Sequence, residues 1–127
     1  MDTVKKIAVY MDHFMANIIE YTNTATFIKT IKSEFNHFEK ERILQKGESH
    51  MHNKEQDFQL KFYLKLKDEL LDYKNVLLFG STNAKTEFAN ILQADVKFSD
   101  VEIIIKNTDK LSDNEQTAFV NDCFYIH

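Results

Sequence analysis

The 127-residue sequence predicts a single α/β domain, a five-stranded mixed sheet with helices on both faces. Three observations predict it. The first 35 residues hold three β-rich runs separated by turn residues. Two short, mostly apolar runs follow, Asn75–Phe79 and Val101–Ile105, of the kind found in the buried middle of a sheet. Each is succeeded by a segment with helical apolar spacing, and a third such segment precedes them both.

Val4–Met11 and Phe14–Tyr21 form the first two strands, separated by Asp12-His13 as a tight hairpin. His resists positive φ, so this is a weaker primed turn than Asp-Gly or Asn-Gly. Thr22-Asn23-Thr24 is the next turn. Ala25–Phe35 alternates, with Phe27, Ile31 and Phe35 among polar residues, as expected of a half-exposed edge strand. The polar stretch Asn36–Asn53 contains Gly47 and reads as a long loop with a helical turn near Glu39–Leu44. Loops of that length are often functional or mobile.

Lys54–Tyr73 is the first helix, with Asn53 and Gln56 as a capping box. Phe58, Phe62, Leu66 and Leu70 share one face, which Leu60, Tyr63, Leu64 and Leu71 widen. After the strand Asn75–Phe79, Gly80 ends the run. Thr82–Gln93 is the second helix, with Ala84, Phe88, Ile91 and Leu92 inward and Ser81, Thr82 or Asn83 as cap. Val101–Ile105 reads as another buried strand. Ser112–Phe124 is the last helix, opened by the S-x-x-E capping box of Ser112 and Glu115, its apolar face Phe119, Val120, Cys123 and Phe124. The order β-β-β-α-β-α-β-α, with right-handed crossovers in its second half, is the ribonuclease H-like arrangement.

Composition narrows the function. The two glycines, with no proline, remove glycine-rich phosphate loops. The net charge of −4 sits wholly in residues 98–127, where six acids face two lysines. No basic stripe announces a nucleic-acid partner. Cys123 stands alone and fits a reducing cytosol, so the chain is expected to be cytoplasmic. The N-terminus lacks the long apolar core of a signal peptide. No apolar run reaches membrane-spanning length, so no membrane partner is expected.

Four stretches carry a resemblance. The hairpin KIAVYMDHFMANIIEY is one. The polar loop with His50 and His52, leading into FQLKFYLKLKDELLDYKN, is another. The others are LLFGSTNAKTEFANIL, with Gly80 and Ala84-Lys85, and VEIIIKNTDKLSDNEQTAFVNDCF, with Thr108-Asp109-Lys110-Leu111-Ser112. Together they resemble the middle domain of archaeal and eukaryotic peptide-chain release factors and Pelota, and the bacterial release-factor-like family that carries this domain alone or fused. The resemblance implies the ribonuclease H-like fold and a partner in the ribosome or tRNA. In release factors the loop after the third strand carries a Gly-Gly-Gln tripeptide that helps water cleave peptidyl-tRNA. Here that loop is Asn36–Asn53, with Gln45 before a single Gly47, and no Gly-Gly pair exists in the chain. The reaction needs backbone conformations that adjacent glycines make accessible. The family's catalytic residues therefore have no counterpart here. Residues 36–57 also carry four basic side chains against five acids, unlike an element that enters ribosomal RNA.

Other chemistry is weighed residue by residue. Asp12 on the first hairpin and Glu102 on the last strand would be nuclease carboxylates only if several converged; a turn role suits Asp12 better. His37, His50 and His52, with Asp57, lack zinc-finger spacing, so no metal and no cofactor are expected. Gly80, Ser81, Thr82 and Lys85 open a helix after a strand and are candidates for anion binding, although Ala84 stands where a P-loop has glycine. The expected function is a non-catalytic, translation-associated binding module in ribosome rescue or quality control. The alternatives are a hydrolase or nuclease using His50 and His52 as acid and base, and a homo-oligomer formed through the third strand, with Phe35 and Phe38 beside it.

Overall fold

The computed structural model describes residues 5–34 and 48–125, without the side chains of 48–55. Five strands form one sheet: β1 Lys6–Met11, β2 Met15–Tyr21, β3 Ala25–Lys32, β4 Asn75–Gly80 and β5 Glu102–Asn107. Their order is β3-β2-β1-β4-β5. The pairs β1–β2 and β2–β3 are antiparallel, while β1–β4 and β4–β5 are parallel. The helices are α1 Glu48–Glu69, α2 Ala84–Gln93 and α3 Asp113–Tyr125, and a 3-10 turn spans Val96–Phe98. This is the mixed α/β architecture that the sequence predicts.

Alternation along the strands sends each residue to one of two cores. Ile7, Val9 and Met11 of β1 join Val76 and Leu78 of β4 beneath α1 and α2. Ala8, with Leu77 and Phe79, faces α3 on the opposite side. The two central strands are buried on both faces, which explains why β4 reads as an unbroken apolar run. The third strand lies at the edge as expected but is more exposed than its alternation predicts: Ile31 is buried, whereas Phe27 is 52% exposed, and a bulge interrupts its pairing at Ile18/Ile19.

Five local expectations are corrected. The hairpin turn is centred on His13 and Phe14 rather than Asp12-His13, since Asp12 N–H donates to the Met15 carbonyl at 3.0 Å. No positive φ is needed, because Asp12 Oδ1 accepts from the amides of Phe14 (2.7 Å) and Met15 (2.9 Å). The first helix runs from Glu48, so Asn53 lies inside it rather than at its start. Nothing after Gly47 breaks that polar run, and a helix that is polar all round is stable when its later turns dock. Leu60, Leu64 and Leu71 are 50%, 40% and 46% exposed; they lie outside the buried face of Phe62, Tyr63, Leu66 and Leu70. The strand after α2 is the far edge of the sheet, half-buried rather than buried, because nothing pairs beyond it among the described residues. Finally, α2 starts at Ala84 rather than Thr82; Asn83 takes the N-cap position and Thr82 Oγ1 accepts from Ala84 N–H, both within the expected cap turn.

Gly80 ends β4 with φ of +149°, and a Cβ there would meet the Met11 carbonyl oxygen at 2.5 Å. Only glycine lets the ends of β1 and β4 approach this closely. The Ser112–Glu115 capping box forms as predicted: Ser112 N–H donates to Glu115 Oε1 at 2.8 Å, and Glu115 N–H to Ser112 Oγ at 3.3 Å.

Candidate functional site at the carboxyl end of the parallel strands

In open α/β sheets, ligands bind outside the carboxyl ends of the parallel strands, where loops converge. Here those ends are Met11, Gly80 and Asn107. The hairpin turn, the Ser81–Asn83 turn and the loop from Thr108 to Ser112 meet there around a cavity of about 190 Å³, lined by Tyr10, Asp12, Ser81, Thr82, Lys110 and Leu111 among others. Tyr10 fixes its wall: the tyrosine hydroxyl accepts from Leu111 N–H at 2.8 Å, which ties the β5–α3 loop to β1.

The four anion candidates take different places. Ser81 and Thr82 line the cavity. Gly80 is required by the backbone. Lys85 does not line the cavity: its side chain is 1% exposed, and its Nζ donates to the Thr82 carbonyl. Burial pushes its ammonium below the ordinary lysine range. The α2 chain direction explains this placement: Lys85 lies in the first turn beside Ala84, Phe88 and Ala89, the residues α2 buries.

A second cluster stands at the same end of the molecule, on the α1–α2 side. Glu87 Oε1 accepts from the Tyr63 hydroxyl at 2.7 Å and lies 3.3 Å from His13 Nε2. Gln59 Nε2 donates to the His13 carbonyl at 3.2 Å, so α1 passes the hairpin tip at that residue. Lower down, the Tyr73 hydroxyl donates to Glu20 at the far end of β2, which fixes α1 antiparallel to β1. Burial, reinforced by Glu87, holds the Tyr63 phenol well above the ordinary tyrosine range. Burial and Glu20 push Tyr73 up to about 12. Sequence reading missed the first cluster. Tyr63 passed as an apolar helix residue and His13 as a turn residue, and no spacing links positions 13, 63 and 87.

His50 and His52 fall in the first turns of α1 rather than in a loop. Their side chains lie outside the described residues, as do His37, Phe35, Phe38, Gln45 and Gly47. Among the described residues no group of three His, Cys, Asp or Glu side chains gathers to hold a metal. Asp12 serves the turn, and Glu102 is exposed on the edge strand. Cys123 packs half-buried against the α3 core, and burial pushes its thiol up.

Comparison with solved structures places this fold. The chain is similar to Pelota from Archaeoglobus fulgidus, at a TM-score of 0.61 and 9% identity over 95% of its length. It is similar to Pelota from Thermoplasma acidophilum, at 0.60 and 15% identity over 94%. It also matches an archaeal translation termination factor, at 0.53 and 15% identity over 99%. The chain spans 32% of the length of either Pelota and 41% of the termination factor. No protein-family model and no curated protein matches the sequence. At these identities the likeness is one of fold. The segment where the sequence resemblance locates the Gly-Gly-Gln loop runs into the described structure only at Glu48, as helix.

Proposed function

We propose that this chain is a non-catalytic, translation-associated module that binds the ribosome, in rescue or quality control. One observation carries the reading. Nearly the whole chain superposes on part of Pelota and of a translation termination factor, while its two glycines, Gly47 and Gly80, are not adjacent. The framework is kept and the tripeptide that would make it a peptidyl-tRNA hydrolase is missing. A cytoplasmic location follows from a ribosomal partner; among the described residues no helix is long and apolar enough to cross a membrane.

The surface suited to ribosomal RNA lies where β3 meets α1. Lys32, Lys61 and Lys65 line one recess there with Phe58, and Lys61 Nζ stands 5.8 Å from the centre of the Phe58 ring. Glu34 shares the recess, so the local charge is reduced but stays positive. Sequence reading sees no basic stripe because Lys32 is far in sequence from Lys61 and Lys65.

Pelleting of purified protein with ribosomes through a sucrose cushion tests the reading. Binding is expected, with affinity falling as salt rises. The Lys61→Ala/Lys65→Ala variant should weaken it and lower the log–log salt slope by about two. Absence from the pellet at low salt overturns the proposal. Peptide release from peptidyl-tRNA in the same mixture would overturn its non-catalytic half.

A further inference from the structure

The cavity at the carboxyl end of β1 and β4 carries an inference of its own, independent of any ribosomal partner. It gathers donors. Ser81 and Thr82 present hydroxyls, Lys110 an ammonium, and the Tyr10 hydroxyl, already accepting from Leu111 N–H, keeps its proton to give. One carboxylate lines it, Asp12, whose Oδ1 is held by the Phe14 and Met15 amides.

Two features outside the lining add positive potential. Helix α2, ten residues long, starts just beyond Thr82 and directs the positive end of its dipole toward this turn. Beneath the turn lies Lys85. Its only partner among the described residues is the Thr82 carbonyl, the backbone of a cavity-lining residue. A buried lysine without a carboxylate, next to the positive end of a helix, is destabilised twice over. An anion in the cavity above Thr82 relieves both terms. The volume of about 190 Å³ is smaller than the roughly 300–1,000 Å³ of sites for drug-sized ligands. It suits a phosphate group with a few further atoms rather than a dinucleotide.

We propose that this cavity binds a phosphate monoester, with Ser81, Thr82 and Lys110 on the phosphate oxygens and Asp12 accepting from a hydroxyl of the esterified group. Asp12 gives the site its selectivity. It repels a bare anion and rewards one that brings a hydrogen-bond donor. Lys85 touches no ligand and acts through the Thr82 backbone.

Titration of the isotopically labelled chain, followed by amide chemical shifts, tests this with two probes: inorganic sulfate, which carries no proton at neutral pH, and glycerol 3-phosphate. Saturable shifts are expected at the amides of residues 81–86 and 110–112, with glycerol 3-phosphate saturating at the lower concentration. Lys110→Gln should weaken both probes about tenfold, the loss expected of one charge-assisted hydrogen bond. Asp12→Asn should tighten sulfate and narrow the gap between the probes. The spectra themselves report whether each variant is folded. Non-saturating shifts, shifts elsewhere in the chain, or unchanged affinity in Lys110→Gln overturn the proposal. Sulfate binding the more tightly of the two removes the role given to Asp12 and with it the monoester assignment. Ribosome pelleting, which reads a different surface, is unaffected by any of these results.

Discussion

Beneath α1 and α2, the sheet is covered by Phe62, Leu66, Leu70, Phe88 and Leu92, a continuous apolar layer. On the other face α3 works alone, with Val120 and Phe124 as its fully buried apolar side chains. What it lacks in apolar contact it replaces with directed bonds. Asn17 Nδ2 donates to Gln116 Oε1 at 2.8 Å, and Gln116 Nε2 donates to the Leu111 carbonyl at 3.0 Å. Asn121 Oδ1 accepts from Ala25 N–H at 2.7 Å. Two helices packed side by side find their place by shape, whereas a single helix with a short apolar stripe can slide or rotate. Buried amides fix it because a misplaced helix leaves them unpaired. Every buried polar side-chain atom among the described residues has a partner, so the polar face is complete as well as specific.

The largest expected effect lies on the apolar face. Phe62→Ala should cost about 3–5 kcal/mol in urea unfolding, the range for a large aromatic removed from a tight core. On the α3 face the contrast between two variants is more telling than either size. Gln116→Ala strands a buried amide of Asn17 and should cost about 1–3 kcal/mol. Asn17→Leu with Gln116→Leu removes both partners and should recover most of that loss, while broadening the amide spectrum of α3 as its register loosens. Thr30, which donates to Asn17 Oδ1 at 2.6 Å, is exposed and finds water instead. A smaller effect is expected at the start of α3, where Ser112→Ala should cost about 1 kcal/mol by breaking the capping box.

The smallest effect is one of pH. Asp95 is held below its ordinary value of 3.8, first by the hydrogen bond from Lys67 at 2.8 Å and then by the Lys97 amide. Glu115 is held below 4.5 by the Ser112 amide. Both folded values lie below the unfolded ones. Their stabilisation is therefore fully present above the unfolded values and is lost as pH falls through the folded ones. Unfolding midpoints measured from pH 6 down to pH 2 should drop in that window. The drop should shrink in Lys67→Met, since the tie between α1 and the turn after α2 is gone.

The sequence discloses the fold through its apolar periods. The run Asn75–Phe79 can only be a strand covered on both sides, and Ser112 with Glu115 announces a helix start through atoms that are local in sequence. It fails where the deciding neighbour is distant. Leu60 and Leu64 fit a helical stripe as well as Leu66 does. Which of them meets the sheet depends on the rotation of α1, set by Phe62, Tyr63 and the Glu20–Tyr73 contact. Lys85 is hidden because a lysine in a first helical turn ordinarily reaches water. The polar turns from Glu48 onward look like loop because their helix is continued from a docked end rather than nucleated locally. The candidate cavity was half visible: Ser81 and Thr82 follow from the strand–turn–helix pattern, but Tyr10, Asp12 and Lys110 reach it only through the parallel pairing of β1, β4 and β5.

The central claim is that this domain works at the ribosome without cleaving peptidyl-tRNA. Its most direct test is sucrose-gradient profiling of the tagged chain in cells, with and without induced stalling of translation. The account predicts that the protein migrates in ribosomal fractions and that stalling increases its share there. Recovery only at the top of the gradient under both conditions would contradict it.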